Sequence, residues 1–434
     1  MGYDIDAIRG EFPSLAITQQ GRPRIYFDNP AGTQVPRTVM ERMTACLLDA
    51  NANLGGQFET SRRADAVVDE AHAAMADFLH AASPGEIIFG QNMTSLTLHI
   101  SRSLGHRFRA GDEIIVTRMD HDANIAPWLL LAEDLDLVVR WLPFDTDTFE
   151  FDLAALDDLL TERTRLVCCG GASNLLGTIN DLRSICRKAR DAGALSFVDA
   201  VQLAPHVAID VQDLGCDMLT CSAYKFFGPH QGILWGRRAL LESLHPYKAR
   251  PAPATLPGAF ETGTQSHEGM AGTTAAVNYF AWIGATMARD YHARNAHYSG
   301  RCRDVHAALD LLFDYETGLT GRLLEGLQQL PGVRVLGITD KHAMHRRVPT
   351  VAFTASGHHP AELAKALAER GIFAWNGHNF ALEVVRSLDL LERGGAVRVG
   401  PVHYNTSAEI DCLLAALGEI LSPAHIAGSG TVTA

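Results

Sequence analysis

Asp199 closes the apolar run Leu195-Ser196-Phe197-Val198, and Lys225 lies inside Ser222-Ala223-Tyr224-Lys225-Phe226-Phe227-Gly228-Pro229. A carboxylate and an amine placed this way can grip one heterocyclic aldehyde: the amine forms a Schiff base that substrate amines displace, and the acid keeps a pyridine nitrogen protonated. Pyridoxal 5'-phosphate (PLP) has that chemistry, and the pair therefore predicts an enzyme. Burial of Lys225 among the aromatic residues that follow it lowers an amine's pKa, which makes it a better nucleophile and proton carrier near neutrality. Asp199, in an apolar setting, is costly unless paired, and a pyridinium removes that cost. Gln202, three residues on, can aim its amide at the ring's phenolic oxygen.

A phosphate needs several donors, and the chain has neither a Walker loop nor a Gly-x-Gly-x-x-Gly fingerprint, so no nucleotide site is expected. Gln91-Asn92-Met93-Thr94-Ser95-Leu96 follows a strand pattern and opens a helix pattern, the setting in which backbone N–H groups and a hydroxyl hold a dianion. Thr94 and Ser95 are candidate donors there, as are Ser222, Tyr224 and Thr264. His121 follows the strand pattern Glu113–Thr117, where an imidazole can stack on a flat cofactor and pass protons. Asn174 ends another strand segment. Arg398, in Ala396-Val397-Arg398-Val399-Gly400, carries the fork that matches an α-carboxylate.

These side chains need a frame. Short β-branched runs alternate with helical patterns at Glu86–Phe89, Glu113–Thr117, Val138–Phe144, Arg165–Cys169, Leu195–Asp199, Met218–Ser222 and Gly232–Trp235. Unbroken apolar strands of this kind predict an α/β fold with a mostly parallel seven-stranded sheet between helices. Ligands of such sheets sit beyond the strands' carboxyl ends, so Thr94, His121, Asn174, Asp199 and Lys225 are expected on one rim. After Gly263-Thr264 the pattern turns to long helical stretches and then a smaller mixed segment. The expected organisation is an N-terminal segment (1–25), a large PLP-binding domain (26–284), a smaller C-terminal α+β domain (285–421) entered by a helix carrying Ala285 to Leu312, and a flexible tail (422–434).

The composition restricts the partners. The 434 residues are 47% hydrophobic, enough for two domains, and carry a formal charge of −13 with no basic run, which argues against nucleic acid. No stretch offers the roughly 18 apolar residues of a membrane span, and the first residues lack a secretory pattern, so a cytoplasmic location without membrane contact is expected. The 8 cysteines form no Cys-x-x-Cys pair, so neither a disulfide framework nor a metal site is expected.

At these residues the chain resembles the class V aminotransferase family, of PLP fold type I, and within it the cysteine desulfurase and selenocysteine lyase branch. Tyr26-Phe27-Asp28-Asn29-Pro30-Ala31-Gly32 is similar to the family's opening strand and turn, and His121-Asp122-Ala123-Asn124 to its His-x-Ala-Asn segment. Ala172-Ser173-Asn174-Leu175-Leu176-Gly177 resembles its Ser-Asn-x-x-Gly, and Phe260-Glu261-Thr262-Gly263-Thr264 its Glu-x-Gly-Thr. The resemblance, covering roughly Tyr26 to Leu417, implies a homodimer with interfacial sites. It implies that Lys225 is the Schiff-base lysine, that Asp199 and Gln202 hold the ring with His121 stacked on it, and that Thr94 and Ser222 bind phosphate. Thr264 would reach a neighbouring subunit's phosphate, and Asn29 would join Arg398 and Asn174 at the substrate. Tyr224 departs from the desulfurase pattern, which has histidine there, and resembles kynureninase.

A second departure bears on the reaction. Desulfurases carry a loop cysteine that takes up the substrate's sulfur, but Phe380 occupies that place in Gly371–Leu382 and no cysteine lies between residues 303 and 411. A third is Asn53-Leu54-Gly55-Gly56, where the branch has His-Arg-Gly. Trp375, Phe380 and Phe58 are expected to line an aromatic pocket for a substrate larger than cysteine. The expected activity is that of a C–S β-lyase: α-proton abstraction by Lys225, assisted by His121, then β-elimination from cysteine or an S-conjugated cysteine. Decarboxylation-coupled oxidative deamination, transamination, desulfuration with another sulfur acceptor, and non-catalytic PLP binding are the alternatives.

Overall fold

The computed structural model describes residues 2–19 and 21–422. All of the predicted tail except Ser422 therefore lies outside the described residues. Seven strands form the main sheet in the order Ile87–Gly90, Gly232–Gly236, Met218–Ser222, Leu195–Asp199, Thr164–Gly170, Glu113–Thr117, Val138–Leu142. Only Gly232–Gly236 runs antiparallel to its neighbours. Every residue of Glu113–Thr117, Met218–Ser222 and Gly232–Gly236 is buried, as expected of strands covered on both faces.

Four of the seven strands differ from the expected runs by one or two residues at one or both ends, two of them for clear reasons. Val138–Leu142 stops before Pro143, which has no N–H for the ladder. Glu86 belongs to a one-turn helix, Pro84–Glu86, where its carboxylate accepts hydrogen bonds from the Ala82 N–H and from Trp235 Nε1. The strands that run in one direction end on the same rim, and Thr94, His121, Asn174, Asp199 and Lys225 follow from that rim.

The C-terminal region holds a four-stranded antiparallel sheet in the order Val333–Leu336, Val351–Ala355, Ala396–Val399, Trp375–Gly377. Leu319, Leu323, Phe353, Leu363 and Leu413 pack its core between the sheet and the helices Gly300–Gln329, Pro360–Ala368 and Ser407–Ile420. The strand Ile25–Tyr26 pairs in parallel with Ile372–Phe373, and Asp28 bridges to Gly400, which ties the segment before the site to this region.

The helix expected to carry Ala285 to Leu312 is two helices, His267–Thr286 and Gly300–Gln329. Tertiary hydrogen bonds hold the turns between them: Tyr291 to Asp314, Asn295 to Asp310 and Tyr298 to Asp210. Gly300 enters the second helix at φ 53°, in the left-handed region. The two helices approach so closely at Gly284 that an added Cβ would overlap the Asp304 carbonyl.

Candidate active site

One pocket opens at the rim, lined by Thr94, His121, Asn174, Asp199, Gln202, Ser222, Tyr224 and Lys225 from the expected set. Lys225 ends a single helical turn, Ala223–Lys225, directly after the strand Met218–Ser222. Phe226 and Phe227 behind it are fully buried and anchor the turn. Its Nζ donates to the Pro30 and Ala31 carbonyls. Burial and then the Arg398 cation lower its pKa to about 7, against the opposing pull of Asp28 and Asp199.

Asp199 ends its strand in a buried position, with Oδ1 accepting from the Val201 N–H at 2.9 Å. Burial raises its pKa to about 6, while that N–H and Lys225 act the other way. His121 is pushed down to about 3, by burial first and then by Lys225, Arg398 and His378, so it is neutral at ordinary pH. Its Nδ1 accepts from the Ala123 N–H at 3.0 Å, which assigns the ring proton to Nε2.

The helix Met93–Gly105 starts at the pocket. Asn92 caps it with Ser95 in a reciprocal box, and the Met93 N–H donates to Ser222 Oγ at 3.3 Å. Thr94 lines the pocket, whereas Ser95, expected among the phosphate donors, is spent on the cap and does not line it. Thr264 is exposed and lines a neighbouring cleft with Gln91 and His230. Sequence reasoning missed Asn92 and Asp120 as pocket residues. The capping pattern Asn92-x-x-Ser95 was the available signal for the first, and adjacency to His121 for the second.

The expected substrate residues separate. Arg398 is buried and stands behind Asn174, donating from Nη1 to the Asn174 carbonyl at 3.0 Å, with Nη2 3.6 Å from Asp28 Oδ1. Asn29 is a structural tie and does not line the pocket: its amide donates to the Gly400 carbonyl at 2.6 Å, and its oxygen accepts from the Tyr404 hydroxyl. Trp375 and Phe58 are exposed and do not line the pocket, so the chain by itself does not assemble the expected aromatic wall. Phe380 stacks on His121 outside the pocket lining.

The free polar atoms fit PLP. The Gln202 and Asn174 side-chain oxygens are buried without a hydrogen-bond partner among the described residues. The Gln202 Nε2 donates to Thr350 Oγ1 at 2.9 Å; turning the amide over lets the oxygen accept from that hydroxyl and offers the pocket a donor. An acid, an amine, an amide and a helix N-terminus thus surround one cavity, as a flat ring with a basic nitrogen, an aldehyde, a phenolic oxygen and a phosphate requires.

Known proteins carry the same frame. The family model described as aminotransferase class-V matches residues 25–301 and 307–413. The chain belongs to the class-V aminotransferase family. This class-V member is 34% identical to the aminotransferase-like protein FGM3 of Gibberella zeae, over 96% of this chain and 99% of that one. It is 31% identical to a cysteine desulfurase of Yersinia pestis, over 97% and 99% of the two chains. The apo structure of cysteine desulfurase from Thermococcus onnurineus NA1 superimposes with a TM-score of 0.84 at 27% identity, covering 96% of this chain and 98% of that one. The fold is PLP fold type I, and the chain is a PLP-dependent, cysteine desulfurase-like class-V enzyme.

Proposed function

We propose that the enzyme cleaves the Cβ–S bond of cysteine or an S-conjugated cysteine by β-elimination. With one water the products are the thiol, pyruvate and ammonia, and no enzyme thiol takes part. The carrying observation is Phe380 over His121, together with a pocket whose lining contains no cysteine. Among the described residues the one exposed cysteine, Cys412, lies on the C-terminal helix Ser407–Ile420. The names of the Yersinia and Thermococcus relatives point to cysteine as the parent substrate.

PLP supplies the electron withdrawal that makes the substrate's α-proton acidic. The chain's residues do the rest. Asp199 would hold a proton on the ring nitrogen, Gln202 would serve the phenolic oxygen, and the neutral His121 would pack against the ring without adding charge. Thr94, Ser222 and the N-terminus of Met93–Gly105 receive the phosphate, and Tyr224 closes the side next to Lys225. The second N–H of the Asn174 amide, whose first is held by the Asn379 carbonyl, orients the substrate carboxylate, with the Arg398 cation behind it. Lys225 Nζ, neutral above about pH 7, takes the α-proton.

We assign Thr264 to the neighbouring subunit's phosphate, which makes the working form a homodimer, and the exposed aromatics Phe58 and Trp375 to walls completed across that contact. No helix among the described residues is long and apolar enough to cross a membrane, and a cytoplasmic location is part of the same proposal.

The test mixes holoenzyme with cysteine and a panel of S-substituted cysteines and follows pyruvate, thiol, carbon dioxide and hydrogen peroxide. Pyruvate and thiol in equal amounts are expected. Carbon dioxide and peroxide without either would replace elimination by oxidative decarboxylation, and a protein-bound persulfide would replace it by desulfuration.

A further inference from the structure

A second carboxylate stands in the pocket wall, and the roles above do not use it. Asp120 is 3% exposed and accepts three hydrogen bonds from three parts of the fold. Oδ1 takes the Thr117 hydroxyl at 2.7 Å, at the end of one strand, and the Gly170 N–H at 2.8 Å, at the end of the next. Oδ2 takes the Asn124 amide at 2.7 Å, and the Asn124 oxygen in turn accepts from Trp128 Nε1 at 3.2 Å. The fit is close, since a Cβ added at Gly170 would come within 2.9 Å of Oδ1.

Gly170 is also the register partner of Asp199 on the adjoining strand. The two carboxylates therefore flank one backbone residue, Asp199 as the cross-strand partner of Gly170 and Asp120 as the acceptor of its N–H. Both line the pocket that faces Lys225. Burial, with the Asp199 carboxylate adding to it, pushes the Asp120 pKa up to about 7 against its three hydrogen bonds, so its ionised form at neutral pH calls for a cation close by. A protonated ring nitrogen supplies that charge.

We propose that Asp120 is a positioning residue of the cofactor site with two effects. Its hydrogen bonds hold the turn that presents His121, and its charge supports the cation that Asp199 contacts. The other titratable groups about the pocket are Asp28, Lys225 and Arg398, with His121 neutral and with Tyr224 and the buried thiols of Cys168 and Cys169 held protonated by burial. The inference rests on PLP binding and not on the C–S lyase reading, so its readouts are the cofactor's spectrum and the apoprotein's melting rather than product identity.

Asp120→Asn leaves two amide N–H groups, its own and that of Asn124, facing each other. The double variant D120N/N124D restores every hydrogen bond, because the new amide donates to a carboxylate at 124 that still accepts from Trp128. It moves the charge one side chain away from Asp199. Expected for D120N are a lower apoprotein melting temperature, cofactor binding weakened about tenfold, and a fall of about one-half to one unit in the midpoint of the pH titration of the bound cofactor's visible band. The fall follows because a nearby anion favours the protonated form. D120N/N124D is expected to regain the melting temperature while the titration midpoint stays low. Recovery of both would reduce Asp120 to a structural role, and an unchanged midpoint in D120N would overturn the electrostatic half outright.

Discussion

His121 and Phe380 lie ring on ring, with centroids 5.3 Å apart and planes 17° from parallel. The loop that brings them together is tied to the pocket at two points. Asn174 Nδ2 donates to the Asn379 carbonyl at 2.6 Å, and the Asp122 N–H donates to the Phe380 carbonyl at 2.8 Å. Asn379 and Phe380 both have positive φ, 52° and 58°. Asparagine enters this region readily, but at Phe380 it costs about 1–2 kcal/mol, which the two ties and the stack offset.

Phe380→Gly and Phe380→Ala separate the ring from the backbone. Both lose the stack, worth about 0.5–1.5 kcal/mol, and both should lower kcat/KM for S-substituted cysteines several-fold. Glycine accepts φ 58° without a Cβ penalty, so Phe380→Gly should melt higher than Phe380→Ala. Equal melting temperatures would show that the backbone strain is absent.

In the proposed role, Lys225 would set a pH limit on cofactor capture. Its pKa of about 7 makes the amine protonated and unreactive below that pH and free above it. The rate at which apoprotein captures PLP should rise about tenfold per unit up to pH 7 and then level off. Arg398→Gln removes a cation that lowers this pKa, so the rising limb should move to higher pH. A limb that stays in place would remove Arg398 from the electrostatics of Lys225.

Asp199→Ala should release the cofactor. A charge-assisted hydrogen bond to the ring nitrogen is worth about 1.5–3 kcal/mol, so PLP should dissociate about ten- to a hundredfold more readily. Absorbance after dialysis measures it. A variant that keeps its visible band would place the ring nitrogen elsewhere.

Glu113 governs acid stability far from the pocket. Arg140 and Thr161 hydrogen bonds hold its pKa at about 2 against the usual 4.5, with Arg163 adding charge. The folded-state pKa is depressed, so this contribution is fully present above pH 4.5 and is lost as the pH falls toward about 2. Melting temperature followed against pH should drop through that window in the native protein, and Glu113→Gln should melt lower at neutral pH and flatten the drop.

Much of this protein was legible in one dimension because its information is local. The seven apolar runs specified a sheet covered on both faces, and strand-end placement put Thr94, His121, Asn174, Asp199 and Lys225 on one rim, where the pocket lies. The motif around Lys225 needed only its own neighbours. Tertiary structure decided what depends on partners distant in the chain. It spent Ser95 on a helix cap and Asn29 on Gly400 and Tyr404, set Arg398 behind Asn174, and left Trp375 and Phe58 exposed. Hydrogen-bond competition of that kind cannot be read from residue type, because an amide or hydroxyl serves a ligand and a backbone carbonyl equally well. The helix break between Thr286 and Gly300 has the same origin, since bonds to Asp210, Asp310 and Asp314 outweigh a helical pattern. Asp120 is the clearest case: adjacency to His121 was visible in the sequence, but its position across Gly170 from Asp199 exists only once three strands have paired.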